Sequence, residues 1–579
     1  MELSGAEIVI ECLKQEGVDV VFGYPGGVVI PTYDVIQRTT ELKHILVRHE
    51  QGATHMADGY ARATGKPGVV LVSSGPGATN TVTGIATAYM DSIPMIVITG
   101  QVPVHLIGND AFQESDTVGI TRPITKHNFL IKETEDIAQV FAEAFHIATT
   151  GRPGPVLIDV PKDVQVGTAE FAYPERPDIR GYKPRTEGHP RQIRKAAEML
   201  TSASKPVIYV GGGAIISEAS EEVRALARKL NAPVTTTLMG LGAFPEHDPL
   251  SLKMLGMHGT WYANTAVMMC DLLVCIGARF DDRVTGNLEE FSPNSKKIHI
   301  DIDPSSLNKN VRVDLPIVGD VKKVLQQLVP LVERADTEEW LQLIDEWKRD
   351  HPLTYANTIG VHEEGLEGVD RETVEKGTDH LPLCAQYAIE RIGQLTKGEA
   401  FVVTDVGQHQ MWAAQWYGFS NPRSMVTSGG LGTMGFGLPA AIGAQFAFPD
   451  REVIVFSGDG SIQMNIQEMA TAVACRLPIK IVLLNNGFLG MVRQWQDMFY
   501  ARRYSEVDLR ESNPDFVKLA EAYGAVGIRV FKDEDVEGAW LEASKVNDRP
   551  VMLDLVIAEE DNVYPMIPAG AASHEMIEE

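Results

Sequence analysis

Short apolar segments that each end in a glycine or a polar turn recur along the whole chain of 579 residues. They alternate with amphipathic segments, which is the pattern of strands and helices in parallel α/β sheets. Three blocks show it: HILVRHE, GVVLVSS, PMIVITG and PVLIDVP, then PVIYVGGG, DLLVCIGARF and KKIHIDIDP, then FVVTDVG, EVIVFSGDG, IKIVLLNNG and VMLDLVI. The sequence therefore predicts an α/β protein of three domains, each with a central parallel sheet flanked by helices.

Two polar stretches separate these blocks. AYPERPDIRGYKPRTEGHPRQ is rich in proline and predicts a linker at 166–190. HEEGLEGVDRETVEKG lies in an acidic segment with few apolar residues, which predicts a second linker at 336–379. The predicted domains are then 1–165, 191–335 and 380–548, followed by a final strand and C-terminal tail at 549–579.

The composition argues against several classes of protein. A formal net charge of -27 is unfavourable for binding a nucleic-acid backbone. No apolar run approaches the roughly 18 residues of a membrane span, and MELSGAEIVIECLKQEG has no basic region followed by an apolar one. The five cysteines show no paired CxxC spacing and are expected to be reduced. We therefore expect a cytoplasmic protein without a signal or transit peptide that binds neither nucleic acid nor membranes.

The segment GDGSIQMNIQEMATAVACRLPIKIVLLNNG predicts a metal and phosphate site. One strand ends at GDG, a helix follows, and the next strand ends at Asn486, 27 residues after Asp459. Carboxylate and amide oxygens are hard ligands that suit Mg²⁺, and a helix N-terminus suits a phosphate. Two unrelated turns would explain GDG alone, whereas the strand–helix–strand spacing favours one site at a sheet edge.

A second chemical feature is HILVRHEQGATHMADGYARAT, in which an apolar strand leads to Glu50 at the start of a helix. An acidic residue in the first turn of a helix ordinarily stabilises the helix dipole. Zinc binding by His49, Glu50 and His55 is another interpretation. However, two histidines six residues apart lie about 240° from each other around a helix, which is unfavourable for a shared metal.

The GDG and NN elements resemble the cofactor motif of the thiamine-diphosphate-dependent decarboxylases and carboligases. The resemblance implies that Asp459, Asn486 and the main-chain carbonyl of Phe488 hold Mg²⁺, and that Glu50 shares a proton with the pyrimidine ring of thiamine diphosphate. It also implies active sites at a dimer interface, because these two groups come from different subunits in such enzymes. The other implied positions for this cofactor are Pro25, Gly26, Gly407, Gln408, His409, Gly432, Met434, Gly458 and Gly460.

The glycine-dense segment SGGLGTMGFGLPAAIGAQFAFP has two interpretations. Glycine allows close approach of the backbone to a ligand. The resemblance accordingly implies that the backbone at Gly432 holds the pyrimidine and that Met434 supports the bent cofactor. Packing between helices also accounts for several of these glycines. His409 matches a position near the diphosphate, although a lone histidine is more often structural.

Segments distributed over approximately residues 3–566 resemble the large-subunit family of the acetohydroxyacid synthases, also called acetolactate synthases. They include VFGYPGG, SSGPGATN, AYMDSIPMIVITGQVP, DAFQESD, GRPGPVLIDVPKDV, GARFDDRVTGN and NNGFLGMVRQWQ. The resemblance implies a transketolase-type transferase of valine, leucine and isoleucine biosynthesis in a bacterium or archaeon. Pyruvate would be decarboxylated on thiamine diphosphate, and the hydroxyethyl carbanion would be joined to pyruvate or 2-ketobutyrate to give 2-acetolactate or 2-aceto-2-hydroxybutyrate.

The same resemblance implies the residues that handle the substrates. Arg283 would bind the carboxylate of the acceptor, although its neighbours Asp281 and Asp282 alone suggest a surface ion pair. Trp495 would favour the larger acceptor by contacts worth ~1 to 3 kcal/mol. The other implied catalytic residues are Glu50, Gln113 and Lys162, and the other implied substrate contacts are Phe112, Met491 and Val492.

A second organic cofactor is implied for the middle block. Three consecutive glycines follow the strand PVIYV, which alone is a weak dinucleotide signal or a simple turn. Members of the resembled family bind FAD there without using it for redox chemistry. The implied FAD positions are Arg152, Gly211, Gly212, Gly213, Met257, His258, Gly277, Arg279, Asp301 and Asp320.

Some questions stay open at this level. A catabolic acetolactate synthase without FAD, a pyruvate oxidase, and a non-enzymatic scaffold are alternative functions, and the RFDDR stretch with Trp495 favours the biosynthetic enzyme. A homodimer or homotetramer with a regulatory small subunit is the implied assembly. Val28 stands where the family commonly has alanine, which makes access to the substrate channel uncertain.

Overall fold

The structure is a computed structural model that describes residues 1–355 and 383–578. Its architecture consists of three six-stranded sheets whose strands are all parallel, together with one small antiparallel pair. Helices flank each large sheet, so the predicted fold class is confirmed. Strand Gly68–Val72 illustrates the local cause: all of its residues are buried, as expected where helices cover both faces of a parallel sheet.

The first domain holds the strands β1 to β8 and the first large sheet. These are β1 (Glu2–Ser4), β2 (Val20–Tyr24), β3 (Lys43–Leu46), β4 (Gly68–Val72), β5 (Met95–Gln101), β6 (His127–Leu130), β7 (Pro155–Pro161) and β8 (Thr168–Glu170). The sheet has the order β3-β2-β4-β5-β7-β6, and β1 pairs with β8. The helices are Gly5–Gln15, Ile30–Arg38, Glu50–Thr64, Pro76–Thr79, Val82–Asp91, Thr117–Thr121, Ile137–Thr149 and Lys162–Val166.

The second domain is built on the second large sheet. Its strands are β9 (Pro206–Val210), β10 (Val234–Thr236), β11 (Ser251–Met254), β12 (Leu272–Ile276), β13 (Lys296–Asp301) and β14 (Leu315–Val318). They have the order β11-β10-β9-β12-β13-β14. The helices are Pro190–Thr201, Gly212–Ile216, Ser220–Leu230, Trp261–Met269, Asp282–Thr285, Val321–Leu328 and Glu338–Asp350.

The third domain contains the last large sheet. Its strands are β15 (Phe401–Thr404), β16 (Met425–Val426), β17 (Val453–Gly458), β18 (Lys480–Asn485), β19 (Val526–Val530) and β20 (Val551–Val556). They have the order β16-β15-β17-β18-β20-β19, so the last strand lies inside this sheet. The helices are Ala385–Leu395, Gln408–Trp416, Gly437–Ala447, Asp459–Ile462, Met469–Ala474, Gly490–Phe499, Phe516–Tyr523 and Asp533–Ala543.

The first and third domains share one apolar core through a pair of helices, Glu50–Thr64 and Gly437–Ala447. A Cβ atom added at Gly59 would collide with the Ala440 backbone, and one added at Gly443 would collide with the Met56 carbonyl oxygen. The two helix backbones therefore approach as closely as glycine alone allows. Packing between helices thus explains part of the glycine-dense segment, which was one of the two interpretations of its glycines.

The segments around the predicted linkers have structure of their own. Helix Glu338–Asp350 begins within the predicted linker 336–379 and buries Trp340 and Ile344 in a core cluster of the second domain. Residues 356–379 of that linker lie outside the described residues.

The C-terminal segment after β20 returns to the second domain, where the Ile567 amide donates to the Met257 carbonyl at 2.8 Å. The five cysteines are free thiols. In the part of the chain that the structure describes, no helix combines the length and apolar character that crossing a membrane requires.

Candidate active site

Asp459 and Asn486 meet at the carboxyl edge of the third sheet. β17 ends at Gly458 and is paired with β18 so that Gly458 lies beside Leu484, which brings the two following turns together. Both side chains line a small cavity of about 60 Å³. The other lining residues include the predicted cofactor positions Gly407, Gln408, His409, Met434, Gly458 and Gly460. The predicted metal ligand Phe488 and the predicted substrate contacts Met491 and Val492 line it as well.

The chemistry of this cavity suits a divalent cation. Asp459 is 1% exposed, and burial raises the pKa of its carboxyl group to about 6, although the Asn513 amide donates to it at 2.6 Å. The Asn486 side chain donates to Gln408 Oε1 at 3.2 Å and accepts from the Phe488 amide at 3.1 Å. A buried carboxylate beside an amide oxygen is the kind of hard donor set that Mg²⁺ prefers, and a bound cation would favour the ionised form.

Two side chains at the start of helix Gln408–Trp416 support the same cavity. Gln408 donates to Gln494 Oε1 at 2.9 Å and to the Asp561 carbonyl at 2.8 Å, so its position is determined from two sides. His409 packs beneath Gly458, where an added Cβ would lie 2.9 Å from its Nδ1. Burial lowers the pKa of His409 to about 3, and its Nε2 has no hydrogen-bond partner within the described ranges. A neutral imidazole with an unpaired nitrogen is therefore available to a polar ligand.

The glycine-dense loop before helix Gly437–Ala447 is held by two carboxylates. Asp405 accepts from the Gly435 amide at 2.7 Å, and Asp91 of the first domain accepts from the Gly429 and Gly430 amides at 3.0 and 2.8 Å. Neither aspartate was among the predicted site residues, because no sequence pattern links the loop to Asp405, 30 residues before Gly435, or to Asp91, more than 300 residues away. The loop places Gly432 and Met434 beside a second, larger cavity.

The larger cavity has a volume of about 1330 Å³ and is lined by residues of all three domains. A Cβ atom added at Gly213 would lie 2.8 Å from the Gly277 Cα, so these glycines serve a close backbone approach rather than a simple turn. Burial lowers the pKa of His258, one of the lining residues, to about 4. All ten predicted FAD positions line this cavity: Arg152, Gly211, Gly212, Gly213, Met257, His258, Gly277, Arg279, Asp301 and Asp320.

The predicted acceptor residues line the same cavity. The guanidinium carbon of Arg283 lies 5.8 Å from the ring centroid of Trp495, and Met491 and Val492 are one turn away on the helix of Trp495. Arg283 also lies 3.7 Å from Asp282 and its side chain is 53% exposed. Arg283 therefore both lies near Asp282 and lines the cavity, so its interpretations as a surface ion pair and as a substrate residue do not exclude each other.

Apart from Arg152, which lines the larger cavity, the predicted residues of the first domain line neither cavity. Pro25, Gly26, Glu50, Phe112, Gln113 and Lys162 follow strands of the first sheet at its own carboxyl edge. Glu50 Oε2 accepts a hydrogen bond from Asn80 Nδ2 at 2.9 Å, and Phe112 is 87% exposed. Within one chain, Glu50 and Asp459 thus belong to two separate groups of residues.

The zinc interpretation of the Glu50 segment loses support. His49 caps its own helix by accepting from the Gln51 amide at 3.1 Å, and the ring of His55 packs fully buried against Phe436. Among residues 1–355 and 383–578, no group of three or more His, Cys, Asp or Glu side chains is arranged to hold a metal ion.

A second acid at the N-terminus of the Glu50 helix is Glu468 of the third domain, which the sequence patterns did not predict. Its buried carboxylate accepts from the amides of Arg48 and His49 at 3.0 Å each. Glu50 itself stands in the first turn of the helix, where an acid favours the helix dipole, and its carboxyl group also accepts from Asn80.

Val28 belongs to the group in the first domain. Its side chain packs against Gly100, where an added Cβ would lie 2.6 Å away, and its carbonyl accepts from Gln165 Nε2 at 3.1 Å. It lines neither of the two cavities.

Comparison with known proteins gives consistent matches over the whole chain. Residues 3–120 match the N-terminal TPP binding domain of thiamine pyrophosphate enzymes, residues 193–328 match their central domain, and residues 405–555 match their C-terminal TPP binding domain. The chain is 50% identical over 584 residues to the acetolactate synthase large subunit of Haemophilus influenzae, covering 100% of this chain and 98% of the relative.

Two further relatives are equally similar. Identity is 51% over 582 residues with the acetolactate synthase large subunit of Buchnera aphidicola subsp. Schizaphis graminum, covering 99% of this chain and 98% of the relative. It is 49% over 585 residues with the acetolactate synthase isozyme 3 large subunit of Escherichia coli, again covering 99% and 98%.

Proposed function

This chain belongs to the acetolactate synthase large subunits, a family of thiamine pyrophosphate enzymes in branched-chain amino-acid biosynthesis, and we propose that it joins 2-keto acids by decarboxylative carboligation. Its substrates would be pyruvate as donor and pyruvate or 2-ketobutyrate as acceptor. The observation that carries the proposal is the arrangement of Asp459 and Asn486 in a cavity that shares Met434, Met491 and Val492 with the larger cavity.

The residues around the small cavity fit a metal-bound diphosphate. Asp459, Asn486 and the Phe488 carbonyl would hold Mg²⁺, and Gly458, Gly460 and the segment 407–409 would surround the phosphates. When bound, thiamine diphosphate supplies the electron sink for the carbanion left by decarboxylation. The unpaired Nε2 of His409 and the buried Asp459 carboxylate support this assignment, since both gain a partner from such a ligand.

A second copy of the chain would complete each active site. Glu50 is proposed to share a proton with the pyrimidine ring, yet in its own chain it lies outside the cavity of Asp459. Gln113, Phe112 and Lys162 accompany it at the same sheet edge, and the exposed ring of Phe112 supports contact with another subunit. The proposed assembly is therefore a homodimer or homotetramer, with Pro25 and Gly26 also belonging to the partner's share of the site.

The larger cavity would hold FAD in a non-redox role. Its ten predicted positions, its volume, and the buried Tyr209 hydroxyl, which has no partner among the described residues, support a large polar ligand. Arg283 would bind the acceptor carboxylate and Trp495 would contact its alkyl group. Since relatives are named large subunits, we also propose a regulatory small subunit, and we place the enzyme in the cytoplasm.

The proposal is tested by assaying the purified chain with pyruvate alone and with added 2-ketobutyrate, in the presence and absence of Mg²⁺, thiamine diphosphate and FAD. We expect a yellow protein that forms both hydroxy acids, requires Mg²⁺ and thiamine diphosphate, and reduces no external electron acceptor. Reduction of such an acceptor would move the assignment to a pyruvate oxidase, and full activity from colourless protein would move it to the catabolic acetolactate synthase.

A further inference from the structure

Phe280 adopts a backbone conformation that is unfavourable for its side chain. It follows β12 in the loop 277–283, whose last two residues begin helix Asp282–Thr285, and has a φ of +52°. It is the one aromatic residue with a positive φ in the portion of the chain that the structure describes. Bulky residues tolerate this left-handed region only where the surroundings determine the conformation, and such residues concentrate at functional sites.

The surroundings of Phe280 are an aromatic cage. Its ring is 2% exposed, and its centroid lies 5.0 Å from His299, 5.7 Å from Tyr209 and 6.0 Å from Phe291. Tyr209 and His299 belong to β9 and β13 of the second sheet, on either side of β12. The cage is therefore anchored in the rigid sheet rather than in another loop.

Side chains also hold the backbone of this loop. Asn310 Nδ2 donates to the Phe280 carbonyl at 2.9 Å, and the His299 Nε2–H donates to the Ala278 carbonyl at 2.7 Å. The carbonyl groups of Ala278 and Phe280 are thus each held by a side chain from a different segment of the chain. Asn310 itself is exposed at the surface, so its bond to the loop can be removed without disturbing the core.

The neighbours of Phe280 on both sides reach the larger cavity. Arg279 and Arg283 line it, whereas Phe280 points away from it into the cage. Arg283 there lies over the Trp495 ring at 5.8 Å. Arginine side chains are long and flexible, so where their guanidinium groups lie depends on how firmly the backbone beneath them is held.

From these contacts we infer that Phe280 is a positioning residue: its caged ring holds the loop 277–283 in a strained conformation that directs Arg279 and Arg283 into the cavity. Asn310 acts with it by holding the Phe280 carbonyl. This inference rests on the proposed function, in which Arg279 contacts FAD and Arg283 contacts the acceptor carboxylate. The inference makes the position of the bound acceptor depend on Phe280, a residue that touches neither FAD nor the acceptor.

The test compares Phe280→Leu and Asn310→Ala with Phe291→Leu, which alters the same cage without changing the loop. For the first two variants we expect the KM for 2-ketobutyrate to rise on the order of tenfold to a hundredfold, with kcat changed much less, because misplacement by about 1 Å has effects of this size. We expect Phe291→Leu to lower thermal stability while leaving that KM unchanged.

Two readouts do not depend on activity. FAD titration of the apoprotein should show weaker binding in Phe280→Leu and Asn310→Ala, and amide hydrogen exchange of residues 277–283 should be faster. If the folded Asn310→Ala variant has wild-type KM, FAD affinity and exchange rates, the inference is overturned even if Phe280→Leu fails to fold. If the wild-type chain lacks carboligase activity, the proposed function fails instead, and the exchange rates still decide whether Phe280 holds the loop.

Discussion

The guanidinium carbon of Arg283 lies 5.8 Å from the ring centroid of Trp495. This contact joins the second domain to helix Gly490–Phe499 of the third domain across the larger cavity. The contact places a cation beside a flat apolar wall. That combination suits a 2-keto acid, whose carboxylate and alkyl group lie at opposite ends.

The acceptor preference is expected to depend on this wall. Trp495→Leu should reduce the preference for 2-ketobutyrate over pyruvate by about tenfold, because contacts to one methylene are worth ~1 to 3 kcal/mol. The ratio of the two products, measured with both acceptors present, checks this. Phe499→Leu is the matched control, since Phe499 lies on the same helix but lines neither cavity. An unchanged product ratio in Trp495→Leu would contradict the assignment.

Proton sharing by Glu50 predicts a separation of binding from turnover. Glu50→Gln keeps the shape of the side chain and a polar partner for Asn80, so thiamine diphosphate should still bind. Activity should fall by roughly 10²- to 10⁴-fold, the usual contribution of a positioned acid or base. Calorimetric titration of the cofactor and a steady-state assay give the two numbers. The exposed Glu41→Gln serves as control, and wild-type turnover in Glu50→Gln would exclude the proposed role.

The metal assignment predicts that Asp459→Asn loses its dependence on Mg²⁺. The asparagine fits the same space but no longer supplies a charged oxygen, so thiamine diphosphate should bind more weakly than in the wild type by at least the roughly 10- to 100-fold typical of losing an outer-shell partner. Titration of cofactor with and without Mg²⁺ measures the effect. Asp450→Asn, at an exposed position of the same domain, should behave like the wild type. Retained Mg²⁺-dependent binding in Asp459→Asn would place the metal elsewhere.

Replacement by alanine is expected to have opposite effects at two helical glycines: Gly443, which lies where the first and third domains pack together, and Gly538, which has free space around it. Gly443→Ala should destabilise the protein, because the added methyl group would collide with the Met56 carbonyl. Gly538→Ala meets no atom within 4 Å and should stabilise its helix by up to about 1 kcal/mol through higher helix propensity. Chemical denaturation of the two variants would contradict this account if both changed stability in the same direction.

Asp159 in β7 predicts a pH dependence of stability. Burial raises the pKa of its carboxyl group from 3.8 to about 7, against the opposing hydrogen bonds from Thr99 and Gln101. Because the folded-state pKa is the higher one, this group contributes stability below about pH 4 that is lost as the pH rises through about 7. Asp159→Asn removes that titration.

Melting temperatures measured at about pH 5 and pH 8 therefore test the role of Asp159. The wild type should lose more stability between the two values than Asp159→Asn does. Asp336→Asn, at an exposed position, should follow the wild-type curve. Parallel curves for the wild type and Asp159→Asn would show that the buried carboxyl group does not titrate in this range.

The patterns that predicted the fold are local. Apolar runs ending in glycine or polar turns predicted inner strands of all three sheets, because a strand covered on both faces is apolar along most of its length. Edge strands such as His127–Leu130 and Ser251–Met254 have no such run and were not predicted. The motif of Asp459 and Asn486 is local in the same sense, since the strands β17 and β18 are successive along the chain and neighbours in the sheet. Both features could therefore be predicted from the residues alone.

Contacts between distant parts of the chain could not be predicted in this way. Glu468 at the start of the Glu50 helix, Asp91 on the glycine-dense loop, and Asn310 on the Phe280 carbonyl each join residues with no shared sequence pattern. The aromatic cage of Phe280 depends likewise on the order of strands in the second sheet.

The sequence by itself determined the three α/β domains and the chemistry of the side chains at the strand ends. Only the tertiary structure decided how those ends are grouped, with Asp459 near the cavity of Arg283 and Trp495 and with Glu50 at a different edge. The physical reason is that a residue's local conformation follows from its neighbours in the chain, whereas the meeting of two domains follows from close packing, here of Gly59 against Ala440 and of Gly443 against Met56.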